Sequence, residues 1–100
     1  MEPIRVERDG AVASIVIERP ETKNGMSHPM WEALRDSARA LDADPEVRAI
    51  VLRSGLERLF SAGADLTEYR ARAGDVAWGD RNRALISETC DALRALGTPV

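Results

Sequence analysis

The sequence holds one cysteine, one histidine, no long apolar run and no excess of basic residues. Each shortage removes a class of protein. A lone cysteine, Cys90, admits neither an internal disulfide framework nor a Cys-x-x-Cys metal or redox motif. Its place on the apolar side of a predicted helix reads as that of a small buried hydrophobe. No apolar stretch approaches the roughly 20 residues of a membrane-spanning helix, and the N-terminus lacks the basic-then-apolar pattern of a secretory leader. A soluble, reducing, cytoplasmic setting is the expectation. Fourteen Lys and Arg against 17 Asp and Glu leave a net charge of −3 with both signs interleaved, so no electrostatic footprint for nucleic acid stands out. No Gly-x-Gly-x-x-Gly or P-loop follows a strand, which disfavours a nucleotide-binding α/β unit. There is no internal repeat, no low-complexity segment and no pair of carboxylates set by a recognisable acid–base motif.

What is present has a globular balance: 100 residues, 44% hydrophobic and 31% charged, make at most one small domain. Chains of this size bury only about two-thirds of their unfolded surface. The stretch that organises the rest is Leu59-Phe60-Ser61-Ala62-Gly63-Ala64-Asp65-Leu66, between the apolar run Ala49 to Leu52 and a segment that reads as helical. Ala62, Gly63 and Ala64 carry no bulk, so a ligand can approach the main chain closely. Amides at a helix start have no intrahelical partner, and the helix dipole favours an anion or developing oxyanion there. Asp65 fits as N-cap. The same residues also fit an ordinary, well-capped strand-to-helix turn, common wherever strands and helices alternate.

In chain order, Ile4 to Arg8 alternates apolar and polar, Asp9-Gly10 supplies hairpin chemistry, and Ala11 to Ile17 is rich in β-branched residues. Arg19-Pro20 ends the second strand, and Pro20 to Gly25 reads as a polar loop with Asn24-Gly25 as its turn. Ser27 caps a first helix, with Pro29 in its first turn and Trp31, Leu34, Ala38 and Leu41 on one face; Asp44-Pro45 stops it. His28 invites a catalytic reading, but with no carboxylate or cysteine fixed beside it the residue reads as polar surface. Met30 and Trp31 read as packing. Val47 to Arg53 is a third strand whose apolar centre implies burial on both faces, which makes strand, helix and strand a βαβ unit. Leu66 to Arg70 forms about one helical turn, and Ala71 to Gly79 a small, polar, mobile stretch in which Trp78 anchors the loop or meets a ligand or partner. A last helix places Ile86, Cys90 and Leu93 on one face with Leu85, Ala92 and Leu96 beside it, and Gly97 as C′ ahead of Pro99. Thr98 to Val100 begins another strand.

Arg19-Pro20, the turn Asn24-Gly25-Met26, the strand Val47 to Leu52, the turn Phe60 to Leu66 and the closing Gly97-Thr98-Pro99-Val100 stand in the order found in the crotonase, or enoyl-CoA hydratase/isomerase, family. The chain resembles the N-terminal half of such a domain over essentially its whole length. The Phe-x-Ala-Gly-Ala-Asp-Leu turn after a strand is the most specific part; the Asn-Gly-Met turn departs from the more usual Asn-Ala-hydrophobic.

The resemblance implies an α/β chain with the crotonase (ClpP-like) ββα spiral fold, N-terminal part only, residues 1–100 being one half of a domain cut at a strand start. It implies that the Ala64 amide is one of two oxyanion-hole donors for the thioester carbonyl of an acyl-CoA. The main chain of Ala62, Gly63, Ala64, Asp65 and Leu66 meets the adenine end of CoA, with Thr67 in the same binding set. Lys23, Gly25 and Met26 line the CoA tail, and Arg58 stands where a basic residue often meets the CoA phosphates; Lys23 and Arg58 read equally well as solvated surface charges. Asp65 is a cap more than a base. In the family the second oxyanion glycine and the two glutamates of hydratases lie beyond the position of Val100, so the 100-residue piece alone is expected to be inactive.

The implied activity is that of an enoyl-CoA hydratase, adding water to a 2-enoyl-CoA to give a 3-hydroxyacyl-CoA in fatty-acid metabolism. Alternatives are double-bond isomerisation, another reaction of the superfamily, or a non-catalytic CoA-binding or scaffold module. Acyl-CoA is then substrate and no cofactor or metal is expected. Partners are the thioester and further copies of the chain, as a homotrimer or a hexamer built as a dimer of trimers, with no nucleic acid and no membrane.

Overall fold

Asp9-Gly10 turns the chain back on itself as its composition requires. In a computed structural model, which describes residues 2–100, β1 (Ile4–Asp9) and β2 (Val12–Ile17) pair antiparallel, with Ile4 opposite Ile17 and Asp9 opposite Val12. The loop is therefore Gly10-Ala11 alone. Gly10 has φ +61° while Ala11 does not enter the positive region, the pattern of a two-residue hairpin with glycine first. β3 (Ala49–Ser54) lies parallel to β2, Ala49 beside Val12 and Ser54 beside Ile17, so the sheet order is β1-β2-β3.

The parallel pairing requires a crossover, and α1 (His28–Asp42) provides it. The Ser27 hydroxyl accepts the Met30 N–H at 3.4 Å as N-cap, and Pro29 sits where a missing N–H costs nothing. Met30, Leu34, Ala38 and Leu41 form the buried face and pack on Ile15, Ile17 and Ile50 of the sheet. Burial of each of the larger side chains stabilises by about 2 kcal/mol. Trp31, expected on that face, is half-buried instead, because the stripe that meets the sheet runs through Met30.

Three other expectations shift. The third strand starts at Ala49, with Val47 buried just ahead of it, and its two faces differ: Ile50 is 2% exposed and Val51 is 42% exposed. Burial on both faces does not hold among the described residues. The 71–79 stretch is not a loose loop. After α2 (Leu66–Ala71) a short turn leads to Asp75, whose carboxylate accepts the Trp78 N–H at 3.0 Å, and α3 (Val76–Arg94) begins there. Its buried face is Trp78, Asn82, Leu85 and Thr89, while Ile86, Cys90 and Leu93 are half-buried beside it. The helix ends at Arg94 with Ala95 as C-cap, which puts Gly97 one place beyond C′. Pro99 does approach the sheet: its carbonyl accepts the Ile50 N–H at 2.8 Å. Asp42 holds that tail to α1, accepting from the Thr98 N–H at 3.0 Å and hydroxyl at 2.9 Å.

Candidate functional site

Two turns that leave the same edge of the sheet, 19–26 after β2 and 54–65 after β3, are laid side by side. Met26 and Ala64 form an isolated parallel bridge. The Met26 N–H donates to Gly63 O at 2.7 Å, and the Asp65 N–H donates to Met26 O at 3.2 Å. One step back, the Ala62 N–H donates to Lys23 O at 2.9 Å. Glycine makes this approach feasible: a Cβ on Gly25 would stand 3.2 Å from Ala64 O and 3.1 Å from Thr22 O. Gly63 has φ +103°, a left-handed setting that glycine enters without strain.

Asn24 fastens the two turns. It is fully buried, with φ +58°. Its side-chain oxygen accepts the Arg19 N–H at 2.7 Å, and its amide group faces Ile17 O at 3.1 Å, Ser54 Oγ at 2.9 Å and Phe60 O at 2.8 Å. One side chain thus joins the end of β2, the end of β3 and the glycine turn. Ser61 adds a bond at 2.6 Å from its hydroxyl to Asn24 O.

Arg19 does the same from the other side. Its Nη1 lies 2.8 Å from the Asp65 carboxylate, whose other oxygen caps α2 by accepting the Thr67 N–H at 3.0 Å and the Glu68 N–H at 3.2 Å. Burial pushes the Asp65 carboxyl upward, but the Arg19 hydrogen bond, the Glu68 amide, the Arg19 charge and the Thr67 amide together outweigh it and hold the group below the usual carboxylate range. Asp65 is ionised at neutral pH and turned inward, a cap and ion-pair partner.

These constraints leave a pattern of spent and unspent amides. Ala62, Gly63, Asp65, Thr67 and Glu68 N–H groups all have acceptors. Among the described residues none meets the N–H of Ala64 or of Leu66. At this parallel bridge Met26 uses its own N–H and C=O, and the groups it bonds belong to Gly63 and Asp65 on either side of Ala64, so the Ala64 N–H points away from Met26. The free donor at Ala64 therefore arises from the bridge to Met26 more than from the start of α2, whose first turn Asp65 satisfies.

Ala64 also separates two cavities. On one side lies a cleft of about 320 Å³, the more polar of the two, lined by Glu21, Thr22, Lys23, Asp65 and Thr67 together with Ala62, Ala64 and Leu66. On the other lies a cavity of about 360 Å³ whose walls are nearly all apolar, from Ile17, Met26, Trp31, Leu34 and Leu52 of the sheet and α1 to Ile86, Cys90 and Leu93 of α3. Gly63, Ser61 and Tyr69 complete it around Ala64. A molecule with a polar half, an apolar half and a hydrogen-bond acceptor between them fits this division.

The structure thus brings together Lys23, Met26 and the run Ala62 to Thr67, with Gly25 buried beneath their junction. Arg58 is not among them: it stands in the exposed turn after β3 with φ +58° and lines neither cavity. His28 is less exposed than its sequence position implies, and its Nδ1 lies 2.9 Å from the buried Asn82. Asn24, Arg19 and Asn82 carried no signal as structural ties; a polar residue reveals itself as one only when its partners, distant in sequence, are known.

A family model described as Enoyl-CoA hydratase/isomerase matches residues 7–95. A protein of Mycobacterium bovis named "Probable enoyl-CoA hydratase echA8" is 34% identical over 98 residues, covering 98% of this chain and 36% of the relative. Carboxymethylproline synthase of Pectobacterium carotovorum is 35% identical over 78 residues, covering 75% of this chain and 31% of that protein. The crystal structure of an enoyl-CoA hydratase/carnithine racemase from Magnetospirillum magneticum superposes with a TM-score of 0.90 at 27% identity, over 100% of this chain and 38% of that one. The chain spans about a third of the length of the curated relatives it matches.

Proposed function

This chain belongs to the enoyl-CoA hydratase/isomerase family, and from that premise we propose that it binds an acyl-CoA thioester with the carbonyl oxygen at the Ala64 N–H. The observation that carries the reading is the unspent Ala64 donor on the ridge between a more polar cleft and an apolar cavity. The acyl group enters the apolar side, and the CoA moiety runs along the polar side past Lys23 and the main chain of Ala62 to Thr67. As charge develops on the carbonyl oxygen in an enolate-like transition state, a fixed N–H aimed at it stabilises it; one such donor contributes about 3 kcal/mol. Its direction is set in advance by the Met26 bridge, so no reorganisation accompanies the step.

The reaction assigned is hydration of a 2-enoyl-CoA, with double-bond isomerisation as the alternative. No carboxylate lines the apolar cavity among the described residues, and Asp65 is committed to Arg19 and to the cap. The acid–base step is therefore assigned neither to that cavity nor to Asp65. Relatives with different names match at 34% and 35% identity, so the match to this stretch does not itself distinguish between reactions. A non-catalytic CoA-binding module would use the same amide and the same cavities.

Amide hydrogen exchange tests the binding reading. Crotonyl-CoA should slow exchange at Ala64 and Leu66, the two amides of this run without a partner. Protection confined to the hairpin, Ile4 to Ile17, would place the ligand elsewhere.

A further inference from the structure

α2 buries none of its residues, yet it carries one wall of the apolar cavity. What fixes it is polar. Asp65 ties its start to Arg19, and the Glu68 carboxylate accepts the His28 N–H at 3.0 Å from each oxygen. The third tie is Tyr69. Its hydroxyl accepts from Asn82 Nδ2 at 3.0 Å, and the Asn82 oxygen lies 2.9 Å from His28 Nδ1. An amide whose NH₂ is given to the phenol presents its oxygen to the imidazole, so the hydrogen-bond network assigns the His28 proton to Nδ1. Asn82 is only 3% exposed and its side chain has no other partner among the described residues. A buried amide is costly unless bonded, and here both ends are used on a single path from α1 through α3 to the Tyr69 phenol. Trp78 meets the same ring edge-on, centroids 5.6 Å apart and planes at 85°.

The ring so held lines the cavity that also contains Ala64, and that cavity, at about 360 Å³, is near the small end for a ligand site. We propose that Tyr69 is a specificity-determining wall, latched by Asn82 and His28, which restricts the acyl group to short chains. This rests on the acyl-CoA reading given above. With no buried side chain to hold α2, an unlatched ring can swing outward and lengthen the cavity. The selectivity therefore resides in the hydroxyl and its partner as much as in the ring. The prediction peculiar to the latch is that removing one oxygen atom, Tyr69→Phe, changes chain-length preference although the ring remains.

The test measures dissociation constants of butyryl-CoA and decanoyl-CoA for the full 100-residue chain, for Tyr69→Phe and for Asn82→Leu. Titration calorimetry gives the constants, and near-ultraviolet circular dichroism checks the fold. Room for two more methylenes raises affinity about tenfold, so the decanoyl-to-butyryl affinity ratio should rise by about that factor in each variant. If Asn82→Leu does not fold, Tyr69→Phe decides alone, since the substitution falls on a partly exposed ring and leaves the sheet core untouched. A folded Tyr69→Phe with the ratio within about twofold of the unsubstituted chain overturns the latch. If neither thioester binds the unsubstituted chain, the acyl-CoA reading falls and the latch with it.

Discussion

Replacing Asn24 by alanine should cost more than any surface position in the chain. Four contacts leave with the side chain, but they do not count equally. Ile17 O keeps a bond from the Gly55 N–H at 2.8 Å, and Ser54 Oγ keeps the Leu56 N–H at 2.9 Å. Among the described residues the Arg19 N–H and Phe60 C=O have no other partner. Two unsatisfied groups cost about 1–3 kcal/mol each. Alanine at φ +58° adds about 1 kcal/mol, because asparagine tolerates the left-handed region better. The sum, about 3–7 kcal/mol, is a large part of the roughly 5–15 kcal/mol by which a domain is stable. Urea unfolding followed by circular dichroism should show the midpoint falling by that equivalent. Asn24→Asp should lose a similar amount at neutral pH, since a second oxygen would then face Ile17 O and Phe60 O, and should regain part of it in acid as the carboxyl protonates. A loss below about 1 kcal/mol for Asn24→Ala would refute the view that this side chain fastens the two turns.

Arg19→Met tests the ion pair through pH. The folded Asp65 carboxyl lies below the usual range, so its stabilisation is complete above the unfolded value of about 3.9 and is lost as pH falls through the lower folded value. Without Arg19 the folded value rises, and acid unfolding should begin at higher pH; an unmoved acid limb would contradict the pairing. Gly63→Ala tests the backbone: nothing lies within 4 Å of the new Cβ, so the cost is conformational, about 1–2 kcal/mol. Denaturation should show that loss together with weaker thioester binding, and unchanged stability with unchanged affinity would count against it.

The elements that announced themselves are those whose causes are local. Ser27 and Pro29 start α1, Asp9-Gly10 closes the hairpin, and Asp65 caps α2, each through groups within a few residues. The βαβ pairing also follows from sequence order, because β2 and β3 are joined by a helix-length segment. What stayed hidden depends on partners far along the chain. Asn24 looked like a turn residue because Ser54 and Phe60, 30 and 36 positions away, give no local sign of being its acceptors. Arg19 meets Asp65 across 46 positions. Residues 76–79 looked like loop because glycine and polar neighbours outweighed one tryptophan; burial of Trp78 against Tyr69, with the Asp75 cap, makes them helix. Free donors are expected at the start of α2, and the Ala64 amide in particular only from the family resemblance; the Met26 bridge, which leaves that N–H without a partner among the described residues, gives no local sign.

The central claim is that the Ala64 N–H receives a thioester oxygen, and the most direct measurement is the carbonyl stretch of bound butyryl-CoA labelled with ¹³C at the thioester carbon. A hydrogen bond to the oxygen weakens the C=O bond, so the band should move to lower wavenumber on binding. Ala64→Pro removes that N–H, which has no acceptor among the described residues. In a folded Ala64→Pro variant, saturated with the same thioester, the band should return towards its position in water. A shift of equal size in Ala64→Pro, or none in the unsubstituted chain with ligand bound, would contradict the account.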